Sequence, residues 1–507
     1  LQTQFIIDKL GVSNLEYAGL KYDHNYLKRI RYFQSLSHQN YNNSFIDFTY
    51  VDNAMDNFHR ALVLLERNGS QLSPNFSFST EQNNFDHRFQ KTGIGIKIKS
   101  NNSYIGTGIE QRIDEKYEIE NNWSAISKDF IAYTDIISNP EKGWKKDISF
   151  KQRIKKSDVN QNYNYSLLDL ALSWKNRRSP FSCFIDIKKE ETLTQNRTVV
   201  YEYIGSGLGN YRYDSDLNTY VYDLNGDYVS YTINIGESNP KTIFLGSQRF
   251  KIEFSKKNFL PSMIIKSQTN QEFRGKTFDV FKIGETNILD TDISKSFFFS
   301  RNEIILTNNR STMFWFQYKK NLEGHDPRGN NIKINKEVGA ASVLKFLEKS
   351  SFKNKIDFHD YSIDSKVYPT RKRNLFGLWN DFTWQTKLKY KIDLVLGFIY
   401  GFDKGRVYGE SFNAKGIGFK GNIVFYLKQN GRFQTEVTFV NVGEENNFGI
   451  LPPEVLKGYT YGKSLRTNSR LQYLLNQSLS FNLNFNTIND ARYKNMISLQ
   501  GELRAYF

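Results

Sequence analysis

The sequence lacks the features that mark several common classes of protein. Cys183 is the single cysteine among 507 residues, which excludes an internal disulfide framework. Proline is scarce, at nine residues, as long hydrogen-bonded strands require. The mean hydropathy is −0.59, and no apolar run approaches the ~18–20 residues of a membrane helix. These absences exclude a disulfide-stapled domain and a bundle of membrane helices.

The charge of the chain is strongly positive, at +16 with a sequence pI near 9.4. Lysine and arginine are nevertheless dispersed along the chain, and the one dense cluster is Arg371-Lys372-Arg373. A nucleic-acid surface concentrates its basic residues on one face, so we predict no nucleic-acid partner. Three interpretations of the charge stay open: a cationic lumen, loops that face anionic lipid headgroups, and solvated loop charge without a specific partner.

What the sequence has in abundance is alternation of apolar and polar residues, most regularly at its C-terminus. From 497 to 507 the odd positions are apolar and the even positions are polar. Period two is the geometry of a strand whose two faces meet different media. About ten such residues, tilted, cross the hydrocarbon of a bilayer. We therefore predict a final strand with one face toward an apolar medium.

The segment before this strand supports the same prediction. Leucine and phenylalanine at 479, 481, 483 and 485 alternate with serine and asparagine at 480, 482, 484 and 486. Asparagine is a poor strand residue and is costly in a dry core without partners, so one face must meet water or a polar lumen. Farther back, Asn430-Gly431 predicts a two-residue type I′ hairpin, which requires two positive φ angles.

Connection lengths distinguish a membrane barrel from a soluble sheet. The alternation predicts eleven strands in the C-terminal half, near 298–307, 311–320, 336–348, 352–362, 375–389, 391–401, 415–428, 432–443, 463–475, 479–489 and 497–507. Short connections between them alternate with long ones at 321–335, 363–374, 402–414, 444–462 and 490–496. This sorting is typical of outer-membrane barrels, and an aromatic content of 15% fits a lipid-facing band. The alternative is a large soluble β-protein with an aromatic core.

Two elements carry a resemblance to known proteins. The last strand ends on Phe507 and resembles the closing strand of bacterial outer-membrane β-barrels. That resemblance implies that Phe507 is an insertion signal recognised by the barrel-insertion machinery. The segment 205–231, GSGLGNYRYDSDLNTYVYDLNGDYVSY, resembles an element of large uncharacterised β-barrel surface proteins of Bacteroidota-like bacteria. The second resemblance implies no activity and no site residues.

The fold that we predict is all-β: a large antiparallel transmembrane β-barrel of roughly 18–24 strands, with short periplasmic turns and long outer loops. Residues 1–70 form an N-terminal β-rich or irregular segment, in which 52–67 is either a short helix or, preferably, a strand. Residues 71–507 form the barrel, with a Gly/Tyr/Asp-rich insert at about 205–231. Because the sequence begins at Leu1 without a signal peptide, we expect a mature chain or a piece of a longer protein.

A search for catalytic and metal-binding motifs finds little. The sequence has no HExxH, no GxSxG and no Walker loop. His325-Asp326 lies in a predicted outer loop and is interpreted as a turn. Asp223, Asn225 and Asp227 loosely resemble a calcium loop, but no glutamate follows at loop position twelve, and a hairpin turn at Asn225-Gly226 is favoured. We therefore predict no enzyme, no cofactor and no metal.

The function that these observations favour is a channel or transporter of unknown solute in the bacterial outer membrane. Its expected partners are outer-membrane lipid, lipopolysaccharide and the insertion machinery. The alternative is a non-conducting surface scaffold or a secretion or adhesion component that binds partners through its outer loops, above all 444–462 and 321–335. The residues predicted to line the lumen are Lys420, Lys428, Arg432, Glu436, Arg466, Arg470, Glu502 and Arg504.

Overall fold

The structure is a computed structural model of the 507-residue chain. It describes residues 2–7, 11–22, 25–36, 44–53, 57–83, 86–117, 123–157, 163–175, 179–206, 209–215, 219–255, 262–276, 293–307, 310–323, 331–365, 371–388, 391–407, 409–427, 430–444, 451–476 and 479–505. Among these residues there is no helix of the length and apolarity needed to span a membrane.

The described residues form 27 strands and a short 3₁₀ turn, Val455–Gly458. The first fifteen strands are β1 Gln2–Ile7, β2 Gly11–Tyr22, β3 Asn25–Leu36, β4 Ser44–Asn53, β5 Asn57–Glu66, β6 Leu72–Asn83, β7 His87–Ser100, β8 Ser103–Tyr117, β9 Trp123–Ser138, β10 Trp144–Ser157, β11 Tyr163–Lys175, β12 Phe181–Tyr203, β13 Gly209–Asp214, β14 Thr219–Gly226 and β15 Tyr228–Phe254. The remaining strands are β16 Ser262–Gly275, β17 Ile293–Thr307, β18 Arg310–Glu323, β19 Asn331–Leu347, β20 Ser350–Ser365, β21 Arg373–Leu388, β22 Ile392–Val407, β23 Glu410–Leu427, β24 Gly431–Glu444, β25 Gly462–Asn476, β26 Leu479–Asn489 and β27 Met496–Ala505.

The predicted fold class, all-β and antiparallel, is confirmed. The chain divides into two compact units, 1–193 with 240–246 and 194–239 with 247–507. In the first unit each strand from β1 to β11 pairs antiparallel with the next. In the second unit β13 pairs with β14, and each strand from β16 to β26 pairs antiparallel with the next.

The sheet of the second unit has two unlike faces, as the alternation predicts. One face, which we call the apolar face, leaves large apolar side chains uncovered, and Leu499 reaches 67% exposure. Its other exposed members include Phe376, Phe382, Phe398, Ile417, Phe419, Leu465, Ile497 and Leu503. The opposite face carries glycine, polar and charged residues together with a cluster of buried apolar residues, and residues 451–461 lie against that cluster. We call this opposite face the segment face and residues 451–461 the docked segment.

The first unit shows the same division. Ile94, Ile98 and Ile105 are about half exposed on one of its faces. On the other face Glu66 is almost fully buried and accepts from Lys97 at 2.8 Å. Further ion pairs on that face join Arg31 to Asp47, Lys91 to Glu110, Arg112 to Asp114 and Arg153 to Asp129. Each of these carboxylates thus has a basic partner on the same face.

Several local predictions are tested directly. Residues 57–66 form a strand, as preferred over a helix, and the hairpin between β23 and β24 is present. The type I′ turn predicted there is wrong, because neither Asn430 nor Gly431 has a positive φ and Gly431 already pairs with Leu427. The long loop predicted at 402–414 is also wrong. Strands β22 and β23 continue through it and pair Val407 with Glu410.

Candidate functional site

The most elaborate contact surface in the second unit is formed by the docked segment. The sequence predicts it as part of an outer loop at 444–462, but the described residues 451–461 fold back onto the segment face. Leu451, Val455 and Leu456 are at most 1% exposed. They pack in one apolar cluster with Leu375, Trp379, Ile399, Phe412, Ala414, Val440, Val442 and Tyr459. Burial of several large apolar groups anchors the segment.

Two glycines make room for this packing. A Cβ atom on Gly401 would lie 2.7 Å from the Trp379 ring and 3.0 Å from Leu456. Gly377 lies between His359 and Asp403 in the strand register, and a Cβ atom there would lie 1.5 Å from Asp403 Oδ1. Larger residues at these two positions would therefore displace the groups that hold the docked segment.

Asp403 is the polar anchor of the docked segment. Its side chain is fully buried, and its Oδ2 accepts the backbone N–H of Leu456 at 2.5 Å. His359 Nε2 lies 2.8 Å from Oδ1, although without the alignment of a hydrogen bond. Leu456 and Lys457 have φ of 46° and 55°, a conformation that costs about 1–3 kcal/mol per residue and persists where its surroundings enforce it. The hydrogen bond from the Leu456 N–H to Asp403 helps to hold this conformation.

Lys457 adds an ionic contact. Its Nζ donates to Asp357 Oδ1 at 3.1 Å and lies 4.9 Å from the centre of the Trp379 ring. Asp357 is 2% exposed and also faces Lys355 Nζ at 3.5 Å. Burial lowers the pKa of Lys457, and the neighbouring Asp357 charge acts against that change. The carboxylate of Asp357 is thus buried with two cations beside it.

Two arginines contact the docked segment, at Glu454 and at Gly458. Arg373 Nη2 donates to Glu454 Oε1 at 2.7 Å. Arg466 Nη2 donates to the Gly458 carbonyl at 2.6 Å, and its guanidinium lies 4.1 Å from the centre of the Tyr459 ring. Burial raises the pKa of the Tyr459 hydroxyl. The segment is therefore fixed by contacts from β20, β21, β22 and β25.

Seven of the eight residues predicted to line a lumen are described, and the strand register places them on the segment face. Glu436, Arg466 and Arg470 border one cleft of about 570 Å³. Lys420 pairs with Asp381, and the remaining three are Arg432, Glu502 and Arg504. Lys428 lies outside the described residues, as does the predicted insertion signal Phe507.

The residues considered for metal binding or catalysis do not come together. Asp223 lies 3.7 Å from the Arg212 guanidinium, and the side chain of Asn225 lies outside the described residues, as do His325 and Asp326. Gly226 ends β14 and pairs with Gly209, so the hairpin turn predicted at Asn225-Gly226 is wrong. The described residues contain no group of three or more His, Cys, Asp or Glu side chains that could hold a metal ion.

Comparison with known proteins finds similarity only among solved structures. No family model and no curated protein matches the sequence. The ferric enterobactin receptor of Pseudomonas aeruginosa aligns with 98% of this chain and 80% of its own, at 11% identity and a TM-score of 0.33. The copper transporter OprC aligns with 90% of this chain and 78% of its own, at 8% identity and a TM-score of 0.32. The outer membrane transporter YddB of Escherichia coli aligns with 97% of this chain and 74% of its own, at 8% identity and a TM-score of 0.32. Similarity this weak assigns neither a site nor a ligand to this chain.

The sequence-based prediction missed the residues that hold the docked segment. Asp357, His359, Trp379 and Asp403 were not singled out, because each is an isolated polar or aromatic residue in an alternating strand. One signal was present: the loop sequence Leu451-Pro-Pro-Glu-Val-Leu-Lys-Gly-Tyr contains four apolar or aromatic side chains. Such residues in a long connection indicate that it packs against something.

We expect Glu454→Gln to loosen the docked segment. The side chains of the Arg373–Glu454 pair are each about one-quarter exposed, so loss of the pair should destabilise the docked segment by about 1 kcal/mol. That change corresponds to about a five-fold rise in amide exchange within 451–461. Exchange followed by mass spectrometry on the protein in detergent measures it. Glu502→Gln removes the carboxylate of the Arg504 pair on β27 and should leave that exchange unchanged. An unchanged rate in Glu454→Gln would contradict the contact.

Proposed function

We propose that the protein is a transport-type β-barrel of the bacterial outer membrane. The observation that supports this best is the apolar face: side chains such as Phe419 and Leu499 are more than 60% exposed along successive paired strands. A soluble protein rarely leaves so large a continuous apolar surface uncovered. Hydrocarbon is a medium in which such a face is stable, provided that the backbone groups of every strand are paired. The likeness of 205–231 to bacterial surface proteins fits the same location.

The segment face supports a transport role. Outside the apolar cluster beneath the docked segment it carries charged and amide side chains, and it borders a cleft of about 570 Å³ beside the docked segment. In this proposal the docked segment narrows the path along the segment face, and a solute passes where the segment leaves space.

A non-conducting surface scaffold is the second candidate. It is favoured by the ion pairs of the first unit, which neutralise the carboxylates of Asp47, Glu66, Glu110 and Asp129, and by the close packing of the docked segment. In that case loops such as 321–335 would bind partners at the cell surface.

Electrophoresis in detergent tests the barrel, and planar bilayers test transport. We expect unheated protein to migrate faster than boiled protein, because a closed barrel resists detergent and stays compact. Equal mobility before and after heating would argue against the proposal. In bilayers we expect discrete conductance steps. Faster unheated migration without such steps would favour the scaffold.

A further inference from the structure

We propose that the cleft formed by β24, β25, β26 and the docked segment binds a small hydroxylated organic acid, whose carboxylate is held by Arg466 and Arg470. The inference rests on the proposed function only in that the bound molecule would be the solute. The cleft measures about 570 Å³, within the range of about 300–1,000 Å³ found for small-molecule sites.

Arg466 is already oriented before any ligand arrives. Its Nη2 donates to the Gly458 carbonyl at 2.6 Å and its guanidinium lies over the Tyr459 ring. Its Nε is buried and has no hydrogen-bond partner among the residues that the structure describes. A buried donor without an acceptor is unfavourable, and an oxygen atom of a bound anion would provide that acceptor.

Arg470 follows four residues later on the same face of β25. Its Nε donates to Asn484 Oδ1 at 2.9 Å, which fixes the plane of the guanidinium. Planar guanidinium groups bind carboxylates through two parallel hydrogen bonds. Glu436 borders the cleft beside the two arginines, and Arg466 also lies 3.8 Å from the buried Asp490 carboxylate. Arg470 is therefore the cation that would supply most of the attraction for a bound carboxylate.

The rest of the lining indicates hydroxyl groups on the ligand. Gln434, Thr438, Asn468 and Asn486 border the cleft, and Asn468 Nδ2 donates to Asn486 Oδ1 at 2.7 Å. Amide and hydroxyl side chains both donate and accept hydrogen bonds, as the hydroxyls of a sugar acid require. A neutral sugar commonly needs an open aromatic ring, whereas Tyr459 is sandwiched between Trp379 at 6.0 Å and Arg466.

Calorimetry on the full chain in detergent tests the inference, with D-glucuronate, D-glucose, acetate and inorganic phosphate as separate probes. We expect glucuronate to bind more tightly than the other three. Binding of glucose as tight as that of glucuronate would overturn the role of the arginines. Binding of acetate or phosphate as tight as that of glucuronate would overturn the role of the hydroxyls, and absence of glucuronate binding would overturn the whole inference.

Variants locate the site. Two variants should each weaken glucuronate binding by about ten-fold or more. Arg470→Gln changes no contact with the docked segment, and Arg466→Lys keeps the positive charge but loses the planar guanidinium group. Arg504→Gln, on the same face in β27 and paired with Glu502, is the matched control and should bind as the wild type does. Faster migration of each unheated variant shows that it is folded. Unchanged binding in Arg470→Gln would overturn the inference.

The transport role and the binding cleft can be contradicted independently of each other. Glucuronate binding without conductance steps would contradict transport and leave the binding site standing. Conductance without glucuronate binding would contradict the binding site and leave transport standing.

Discussion

Leu499→Arg is expected to prevent stable assembly of the protein in a bilayer. Leu499 lies in the middle of β27, on the apolar face, and is 67% exposed. An arginine on the lipid face of a strand costs about 2–4 kcal/mol near the bilayer midplane, which corresponds to a loss of about 30-fold or more in the folding equilibrium. Refolding into phosphatidylcholine vesicles over a urea series, scored by the fast-migrating unheated band, measures that equilibrium.

The neighbouring position supplies the matched control. Gln500 lies next to Leu499 on the segment face, where it pairs with Asn484. Gln500→Arg introduces the same side chain one residue away and should change the folding equilibrium by no more than about 0.5 kcal/mol. If both variants lost assembly equally, or if neither did, the apolar face would not be the surface that meets lipid.

Asp403→Ala should release the docked segment. The substitution removes the acceptor of the Leu456 N–H and the buried charge beside His359. Loss of a buried hydrogen bond to a charged group costs about 1.5–3 kcal/mol, so amide exchange within 451–461 should rise on the order of 10–10²-fold. Under the transport proposal the conductance should rise as well, because the segment no longer narrows the path.

Two further variants make the Asp403 result specific. Asp403→Asn keeps an oxygen that can accept the Leu456 N–H, and we expect it to show a smaller rise in exchange than Asp403→Ala. Asp393→Ala removes another aspartate of β22, whose carboxylate accepts from Tyr426 at 3.1 Å, and should leave exchange in the segment unchanged. A docked segment that remains protected in Asp403→Ala would show that apolar packing alone holds it.

The strands were largely predictable because their signal is local. Period-two alternation at Leu479 to Phe485 and at 497–505 marks strands without knowledge of their partners, and the observed β26 and β27 agree with it. The prediction failed at 402–414, where Gly405, Gly409 and several charged residues resemble a loop. In the structure these residues lie on the segment face, where Asp403 anchors the docked segment and Phe412 and Ala414 pack against it.

The site was predictable only in part, because it is built from residues far apart in the sequence. The charged residues on the polar side of the alternating strands were sufficient to predict Glu436, Arg466 and Arg470 as lining residues, and these three border one cleft on the segment face. The register that aligns His359, Gly377 and Asp403 across three strands cannot be read from any one of them. The fold-back of 451–461 likewise depends on space that Gly401 leaves beneath Leu456.

The position of the docked segment along the chain constrains the order in which the protein assembles. Its anchors Asp357, Trp379 and Asp403 precede it, whereas Arg466 follows it, so the seat is complete only after β20 to β25 have paired. Docking of the segment is therefore a late step of folding, and a chain that ends before β25 would lack the Arg466 contacts with Gly458 and Tyr459.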